Sequence, residues 1–191
     1  MRLDYEQLGE RLKARARAST PGGAYAPAGV TIPLYEKDGG THVLFTLRTD
    51  KVKHHKGQIS FPGGAAEESD GTILETAIRE TVEEVGVPVG HIHVIGAVDD
   101  IVTISGFCVT PVVVRLDHPF PTEVCRDEIA ELIEVPLEAL TAPGVPRIEQ
   151  WEMDDRPVEM YFYDYGAYTI WGATGRILRQ FLGIAADCIR G

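Results

Sequence analysis

The stretch that decides the fold runs from residue 63 to residue 87 and reads GGAAEESDGTILETAIRETVEEVGV. A helix turns by about 100° per residue, so a helix over its second half places Glu80, Glu83 and Glu84 on one narrow face. The opposite face carries aliphatic side chains, which are Leu74, Ile78, Val82 and Val85. The pattern predicts a helix near residues 72–85 with an apolar back and an acidic front.

The acidic front is typical of a divalent metal site. Like charges at i, i+4 destabilise a helix by roughly a few tenths of a kcal/mol, so local stability alone does not favour Glu80 beside Glu84. Hard cations such as Mg2+ prefer oxygen ligands. In enzymes they are usually bound by carboxylates together with the phosphates of the substrate. The alternative is a solvated helix face on which Arg79 and Glu83 form an i, i+4 ion pair.

The segment before the helix, residues 57–64, favours the metal site. It reads GQISFPGG, so an apolar stretch ends in Phe-Pro-Gly-Gly. Proline fixes one φ angle, and paired glycines let the chain turn sharply and bring its backbone close to a ligand. We therefore expect a strand, a glycine loop and the acidic helix to form one site. Thr72 and Glu75 have the spacing of a capping box at the start of that helix.

These motifs resemble the Nudix hydrolase signature, G-x5-E-x7-R-E-U-x-E-E-x-G-U, in which U is an aliphatic residue. The second half of the signature matches residues 79–87 closely. The chain departs from it at Thr81, where an aliphatic residue is usual. The span from Gly64 to Arg79 is also one residue longer than in the common signature. Asp70 then best fills the first acidic position.

The longer span is also found in the Nudix subgroup that resembles coenzyme A pyrophosphatases. That subgroup has an upstream motif, roughly L-L-T-x-R-S, a basic stretch and G-x3-F-P-G-G. Here residues 44–49 read LFTLRT and residues 57–64 read GQISFPGG, and similarity extends over roughly residues 29–182. The resemblance implies an α/β fold, namely a Nudix-type α/β/α sandwich around a mixed β-sheet. It also implies hydrolysis of a diphosphate bond with Mg2+ or Mn2+ as cofactor.

The resemblance further implies which residues hold the metal ion. Glu80 and Glu84 are expected to be the principal ligands, and Glu83 a further ligand or a partner through water. A backbone carbonyl of Gly63 or Gly64 is expected to complete the coordination. Divalent ions at such a site clamp phosphate oxygens and lower the pKa of a bound water.

Two further catalytic roles follow from the same resemblance. Arg79 lies i, i+4 from Glu83 and is expected to orient the carboxylates rather than to touch substrate. The general base is a glutamate of the signature, such as Glu83, or one from a distant loop. Glu128 is the first distant candidate and Glu131 the second. The alternative for both is a solvent-facing position on a strand.

A basic stretch over residues 48–56 is the candidate substrate contact, and its alternative is an ordinary exposed loop. The expected substrate-binding residues are Arg48, Lys53, His55, Lys56 and Gly63. The resemblance favours coenzyme A or its thioesters as substrate, with 3′,5′-ADP and 4′-phosphopantetheine or its acyl form as products. One alternative is a pyrophosphatase for ADP-ribose or another nucleoside diphosphate derivative. A non-catalytic nucleotide-binding module is a further alternative, although all three glutamates of the signature are present.

Composition limits the class of protein. The chain has 191 residues, of which 44% are hydrophobic and 25% charged, as expected for one well-cored domain. We expect an N-terminal amphipathic helix and linker over residues 1–28 and a Nudix domain over residues 29–191. The net charge of −11 argues against nonspecific nucleic-acid binding, and no apolar run is long enough to span a membrane. A cytoplasmic protein acting on a small molecule is expected, with a homodimer left open.

Hydrophobic periodicity gives the expected order of elements. The predicted strands lie near residues 29–35, 42–49, 92–98, 107–116, 129–135, 147–152 and 158–164. The predicted helices lie near residues 3–18, 72–85 and 172–189. Strands of mixed order with few long helices favour a sandwich of helices around a mixed sheet.

Overall fold

A computed structural model describes residues 1–20, 23–50, 57–153 and 156–190 of the chain. The strands are β1 (Arg2–Leu3), β2 (Ala26–Lys37), β3 (Gly40–Arg48), β4 (Ile59–Ser60), β5 (Gly63–Ala65), β6 (Ile92–Ala97), β7 (Ile101–Val102), β8 (Phe107–Leu116), β9 (Ile129–Pro136), β10 (Arg147–Met153), β11 (Arg156–Tyr165), β12 (Tyr168–Ile170) and β13 (Ile189–Arg190). The α-helices are α1 (Tyr5–Ala14), α2 (Ile73–Val85), α3 (Leu137–Leu140) and α4 (Gly172–Ala185). Two 3-10 turns cover Val89–His91 and Ala186–Cys188.

The central sheet is mixed, as the sequence predicts. Its eight strands follow the order β4-β3-β2-β8-β6, with β5 paired to β2, β7 to β8 and β9 to β3. Strands β2 and β8 run parallel, whereas the other pairs in this sheet are antiparallel. A second sheet has the order β10-β11-β12, and β1 pairs with β13.

Side chains that point alternately to the two faces of the sheet form two hydrophobic clusters, one on each face. In β8, Val113 belongs to the cluster that contains helices α1 and α4, whereas Val112 and Val114 belong to the cluster that contains α2. Leu8 of α1 and Phe181 of α4 are fully buried in the first cluster. The predicted α/β/α sandwich is therefore confirmed.

Helix α2 begins and ends where its sequence provides caps. Thr72 accepts a hydrogen bond from the Glu75 amide, and the Glu75 carboxylate accepts one from the Thr72 amide, which is the expected capping box. Gly86 ends the helix with a left-handed φ of 78°, and a Cβ there would lie 2.2 Å from the Glu123 backbone nitrogen. The segment around residue 123 can therefore pack directly against the end of α2.

The prediction of a glycine loop before the helix is wrong, because part of this segment forms strand β5. Gly63 and Gly64 lie in β5 and pair with Val30 and Gly29 of β2. A Cβ at Gly63 would lie 2.4 Å from the Gly29 carbonyl oxygen, so only a glycine lets the two backbones approach this closely. Glycine and proline suggest a loop locally, whereas here the glycines allow tight strand pairing beside α2.

The N-terminal helix is shorter than predicted. It covers Tyr5–Ala14 rather than residues 3–18, with Leu8 and Leu12 buried in the core. Arg15 adopts an extended conformation and pairs with Asp99, and Arg17 pairs with Asp100 at 3.0 Å. These ion pairs draw the chain away from the helix axis. None of the helices in the described ranges is long and apolar enough to cross a membrane.

Candidate active site

Glu84 is the most buried acidic side chain of the candidate site. Glu84 lies on the predicted acidic front of α2 but is only 3% exposed, so this part of the front is buried rather than solvated. Its Oε1 accepts a hydrogen bond from Arg48 Nη1 at 3.0 Å, and its Oε2 accepts one from the Gly63 amide at 3.2 Å. Burial raises the pKa of Glu84 to about 7, and the carboxylates of Glu80 and Glu128 act in the same direction.

Glu80 lies one turn earlier on α2, against strand β5. A Cβ built at Gly64 would lie 2.5 Å from Glu80 Oε1, so the glycine leaves the space that this carboxylate fills. Burial raises the pKa of Glu80, while Arg79 opposes the shift and Glu83 and Glu128 reinforce it. The Glu80 carboxylate therefore lies between the β5 backbone and the other acidic groups of the site.

Arg79 donates hydrogen bonds to three acidic side chains around it. Its Nε and Nη2 donate to Asp70 at 3.0 Å each, and its Nη1 donates to both Glu80 and Glu83 at 3.0 Å. Nη2 also donates to the Ala65 carbonyl oxygen of β5 at 3.2 Å. The guanidinium holds the pKa of the Asp70 carboxyl well below its usual range. Asp70, which best fills the first acidic signature position, is thus a partner of Arg79.

Glu83 differs from the other two helix glutamates because it faces solvent. Its side chain is 59% exposed and its described contact is the Arg79 ion pair at 3.0 Å. The solvated i, i+4 pair considered from sequence is therefore present for Glu83. This geometry does not extend to Glu84, which lies next along the helix and is buried.

Glu128 reaches the site on the segment that precedes β9. The Cys125 amide donates to the Glu84 carbonyl oxygen at 3.2 Å, and the Glu128 amide donates to the Cys125 carbonyl oxygen at 3.1 Å. The Glu128 carbonyl oxygen accepts a hydrogen bond from the Thr49 amide at 2.8 Å. Glu128 Oε2 then lies 3.9 Å from Arg48 Nη2. Glu131 points elsewhere and accepts a hydrogen bond from the Tyr168 hydroxyl at 2.8 Å.

The substitution of threonine in the signature has a structural reason. Thr81 is fully buried, and its hydroxyl lies 2.7 Å from that of Thr31 on β2. The Thr81 hydroxyl also donates to the Ala77 carbonyl oxygen at 2.7 Å. The hydroxyl is therefore fully hydrogen-bonded at a position where the signature has a hydrocarbon side chain. This pair of threonines ties α2 to the central sheet.

The donor set fits a hard divalent cation. The carboxylates of Glu80, Glu84 and Glu128 lie near one another, and burial together with the neighbouring negative charge raises the pKa of Glu80 and of Glu84. Within the described ranges, however, no three His, Cys, Asp or Glu side chains are already gathered into a ligand set. Arginines neutralise the carboxylates instead, through the pairs Arg48–Glu84 and Arg79–Glu80. Of the predicted substrate contacts, Lys53, His55 and Lys56 lie outside the described residues.

Comparison with known proteins identifies the family. A NUDIX domain model matches residues 26–158. A protein from Pectobacterium atrosepticum described as "Uncharacterized Nudix hydrolase NudL" is 37% identical over 156 residues, covering 80% of this chain and 79% of that protein. A protein of the same description from Yersinia enterocolitica is 36% identical over 156 residues, covering 80% and 78%.

Solved structures show the same fold at lower identity. A C. elegans Ap4A hydrolase binary complex has a TM-score of 0.56 at 15% identity, covering 85% of this chain and 98% of that one. A MutT/nudix family protein from Enterococcus faecalis has a TM-score of 0.53 at 18% identity, covering 95% and 69%. With the family model over residues 26–158 and relatives above 30% identity along most of their length, this chain belongs to the Nudix hydrolase family.

Proposed function

We propose that the protein hydrolyses the diphosphate bond of coenzyme A or its thioesters in a reaction that depends on Mg2+ or Mn2+. The products are 3′,5′-ADP and 4′-phosphopantetheine or its acyl form. The observation that supports this most is the buried Glu84 carboxylate beside Glu80 and Glu128 in a chain of the Nudix hydrolase family. A buried carboxylate with acidic neighbours is costly unless a cation neutralises it.

The residues that would hold the cation are Glu80 and Glu84, with Glu83 and the Gly64 carbonyl as further ligands. A bound Mg2+ or Mn2+ supplies charge neutralisation at the phosphate oxygens and a water of lowered pKa. Arg79 fixes the directions of the Glu80 and Glu83 carboxylates through hydrogen bonds of 3.0 Å to each. Gly63 contributes its amide to Glu84 Oε2, which fixes the rotamer of that carboxylate.

Glu128 is our first choice for the general base. Its carboxylate lies 3.9 Å from Arg48, beyond hydrogen-bond distance, and it is 51% exposed. It can therefore accept a proton from the attacking water at Oε1 or Oε2. Glu83 is the second choice, because its Oε2 already accepts a hydrogen bond from Arg79. Hydrolysis then adds the hydroxyl of water to one phosphorus and returns the proton to the departing phosphate.

The choice of coenzyme A is supported by the sequence between Arg48 and Gly64 and by the longer span to Arg79, which together resemble the coenzyme A pyrophosphatase subgroup. We propose a small molecule as the partner of the site. The cytoplasmic location and the homodimer stay predictions.

Product analysis tests the proposal. The purified protein is incubated with Mn2+ or Mg2+ and coenzyme A, acetyl coenzyme A, ADP-ribose or a dinucleoside polyphosphate, and the phosphorylated products are identified by mass. We expect 3′,5′-ADP and the highest kcat/KM with coenzyme A or its thioester. A far higher kcat/KM with ADP-ribose would overturn the choice of coenzyme A as substrate, whereas diphosphate hydrolysis would still be the reaction. Cleavage of none of these diphosphates would overturn both.

A further inference from the structure

Arg48 is a positively charged side chain that contacts the carboxylates of the candidate site. Its Nη1 donates to Glu84 Oε1 at 3.0 Å and its Nη2 lies 3.9 Å from Glu128 Oε2. The arginine side chain is 21% exposed and that of Glu84 is 3% exposed, so the contact between these two is made largely out of water. From sequence, Arg48 is expected to bind substrate, whereas the structure places it between two carboxylates from different elements.

Backbone pairing fixes the position of Arg48 at the end of β3. The pairing of β3 with β9 shifts register here, because Leu47 pairs with Glu131 and Arg48 with Ile129. The extra residue of this irregularity, Ala130, lies on β9, and such irregularities are common beside active sites. The Arg48 amide donates to the Gln58 carbonyl oxygen at 3.0 Å, and the Gly57 amide donates to that of Arg48 at 3.2 Å. The backbone of Arg48 is thus held by pairing on both sides.

Both oxygens of Glu84 are occupied within the protein. Oε1 accepts from Arg48 and Oε2 accepts from the Gly63 amide. Removing one partner of a buried ion pair leaves an uncompensated charge, which is strongly destabilising. Arg48 and a divalent cation are therefore two ways to neutralise the same carboxylate. They repel each other when both are present, since each carries positive charge at close range.

We propose that Arg48 is the internal counter-ion of Glu84 and Glu128, a positioning residue that holds these carboxylates before a divalent cation binds and then competes with it. The proposal rests on the proposed function in so far as Glu84 is a metal ligand. Binding of the cation weakens the Arg48–Glu84 pair and leaves Glu128 in place through its backbone bonds. Arg48 thereby acts on the metal site, and substrate affinity is set by other residues.

Metal binding without substrate tests this most directly. Mn2+ binding is titrated by electron paramagnetic resonance for the wild type, Arg48→Gln, Arg48→Lys and the control Arg147→Gln. Arg147 pairs with the exposed Glu149 on β10 and carries the same charge. We expect Arg48→Gln to lower the Kd for Mn2+ by about tenfold, because a competing positive charge is lost. Arg48→Lys, which keeps the charge, and Arg147→Gln should stay within about twofold of the wild type. An unchanged or weaker Mn2+ affinity of Arg48→Gln would overturn the proposal.

A second measurement keeps the test decisive if Arg48→Gln does not fold. Arg48→Lys keeps the charge but loses the fork that faces two carboxylates, so kcat at saturating Mn2+ should fall by about tenfold while KM changes less than about threefold. A large rise in KM with unchanged kcat and Mn2+ affinity would place Arg48 on the substrate and overturn the proposal. Tighter Mn2+ binding by Arg48→Gln in a protein that cleaves no diphosphate would support Arg48 and reject the proposed function. Diphosphate hydrolysis by the wild type together with an unaltered Mn2+ affinity of Arg48→Gln would support the proposed function and reject the role proposed for Arg48.

Discussion

Glu84 carries a charge that the protein holds at some cost in free energy. Its ordinary pKa of 4.5 rises to about 7, mainly because burial disfavours the carboxylate form. A group whose folded pKa is raised binds its proton more tightly in the folded state than in the unfolded state. Its favourable contribution is therefore present below pH 4.5 and is lost as the pH rises toward 7.

This sign gives a prediction for Glu84→Gln in the absence of metal. With EDTA present, the free energy of unfolding of the wild type should fall relative to that of the variant as the pH rises from about 4.5 to about 7, because the glutamine does not ionise. Urea denaturation followed by circular dichroism at several pH values measures the difference. The comparison with the variant cancels other titrating groups, such as Asp70. A difference that does not change with pH would show that Glu84 has an ordinary pKa.

At the scale of elements, the site depends on how closely α2 approaches the sheet. A Cβ at Gly29 of β2 would lie 2.6 Å from the Ile73 carbonyl oxygen at the start of α2. Gly63 of β5 allows an equally close approach to β2, and Gly64 of β5 leaves room for the Glu80 carboxylate of α2. The strand pairing and the helix packing thus meet at glycines, and Glu80 fills the space that remains beside Gly64.

Gly64→Ala should therefore damage the site and spare the fold. The new methyl group would push away the flexible Glu80 carboxylate, which lies 2.5 Å from the Cβ position, rather than any backbone atom. We expect hydrolysis to slow by roughly a hundredfold, as for a catalytic group misplaced by about 1 Å. The free energy of unfolding should change by less than about 1 kcal/mol. Gly90→Ala, where a Cβ meets nothing within 4 Å, is the control. Wild-type turnover in Gly64→Ala would remove Glu80 from the metal site.

Most of the elements were predictable from periodicity, because half-buried strands and amphipathic helices alternate polar and apolar residues regularly. The short strand β5 was not, since its glycines indicate a turn when read locally and a tight strand pair only when β2 is known. Helix periodicity placed Glu84 on the acidic front of α2 without showing its burial, because a pattern of polarity treats every charged residue as solvated. Burial of a charge can be recognised only once Arg48 and Gly63, which are distant in sequence, are found beside it.

The candidate site follows the same division between local and distant information. The signature on α2 identified Glu80, Glu83, Glu84 and Arg79, which are close in sequence. The contacts of Arg48 with Glu84 and Glu128 join β3 to α2 and to the segment before β9, and no sequence pattern revealed them. The sequence ranks Glu128 before Glu131 as the distant candidate, and the structure places Arg48 near Glu128 and the Tyr168 hydroxyl on Glu131.

At the scale of the whole molecule, the N-terminal helix is packed into the same core as the C-terminal helix. Leu8 and Leu12 of α1 share a hydrophobic cluster with Phe181 of α4. Arg15 and the Ala18 amide contact Asp99, which ties the following segment to the region after β6. Helices α1 and α4 therefore pack together against the same face of the central sheet.

Leu8→Ala should destabilise the whole protein rather than release a loose helix. Leu8 is fully buried, and truncating such a leucine costs about 2–5 kcal/mol. We expect a single cooperative transition at lower urea concentration, with circular dichroism and tryptophan fluorescence changing together. Val89→Ala, at a position that is 64% exposed, should change the free energy of unfolding by less than about 0.5 kcal/mol. An early transition seen by circular dichroism alone would show that α1 unfolds independently.

The most direct test is the initial rate of coenzyme A hydrolysis as a function of Mn2+ concentration for the wild type and Glu84→Gln. We predict no turnover in EDTA, a saturable rise with Mn2+ for the wild type, and a rate roughly a thousandfold lower for the variant despite an unchanged circular dichroism spectrum. Full activity in EDTA, or equal rates for the two proteins, would contradict a diphosphate hydrolase whose metal ion is held by Glu84.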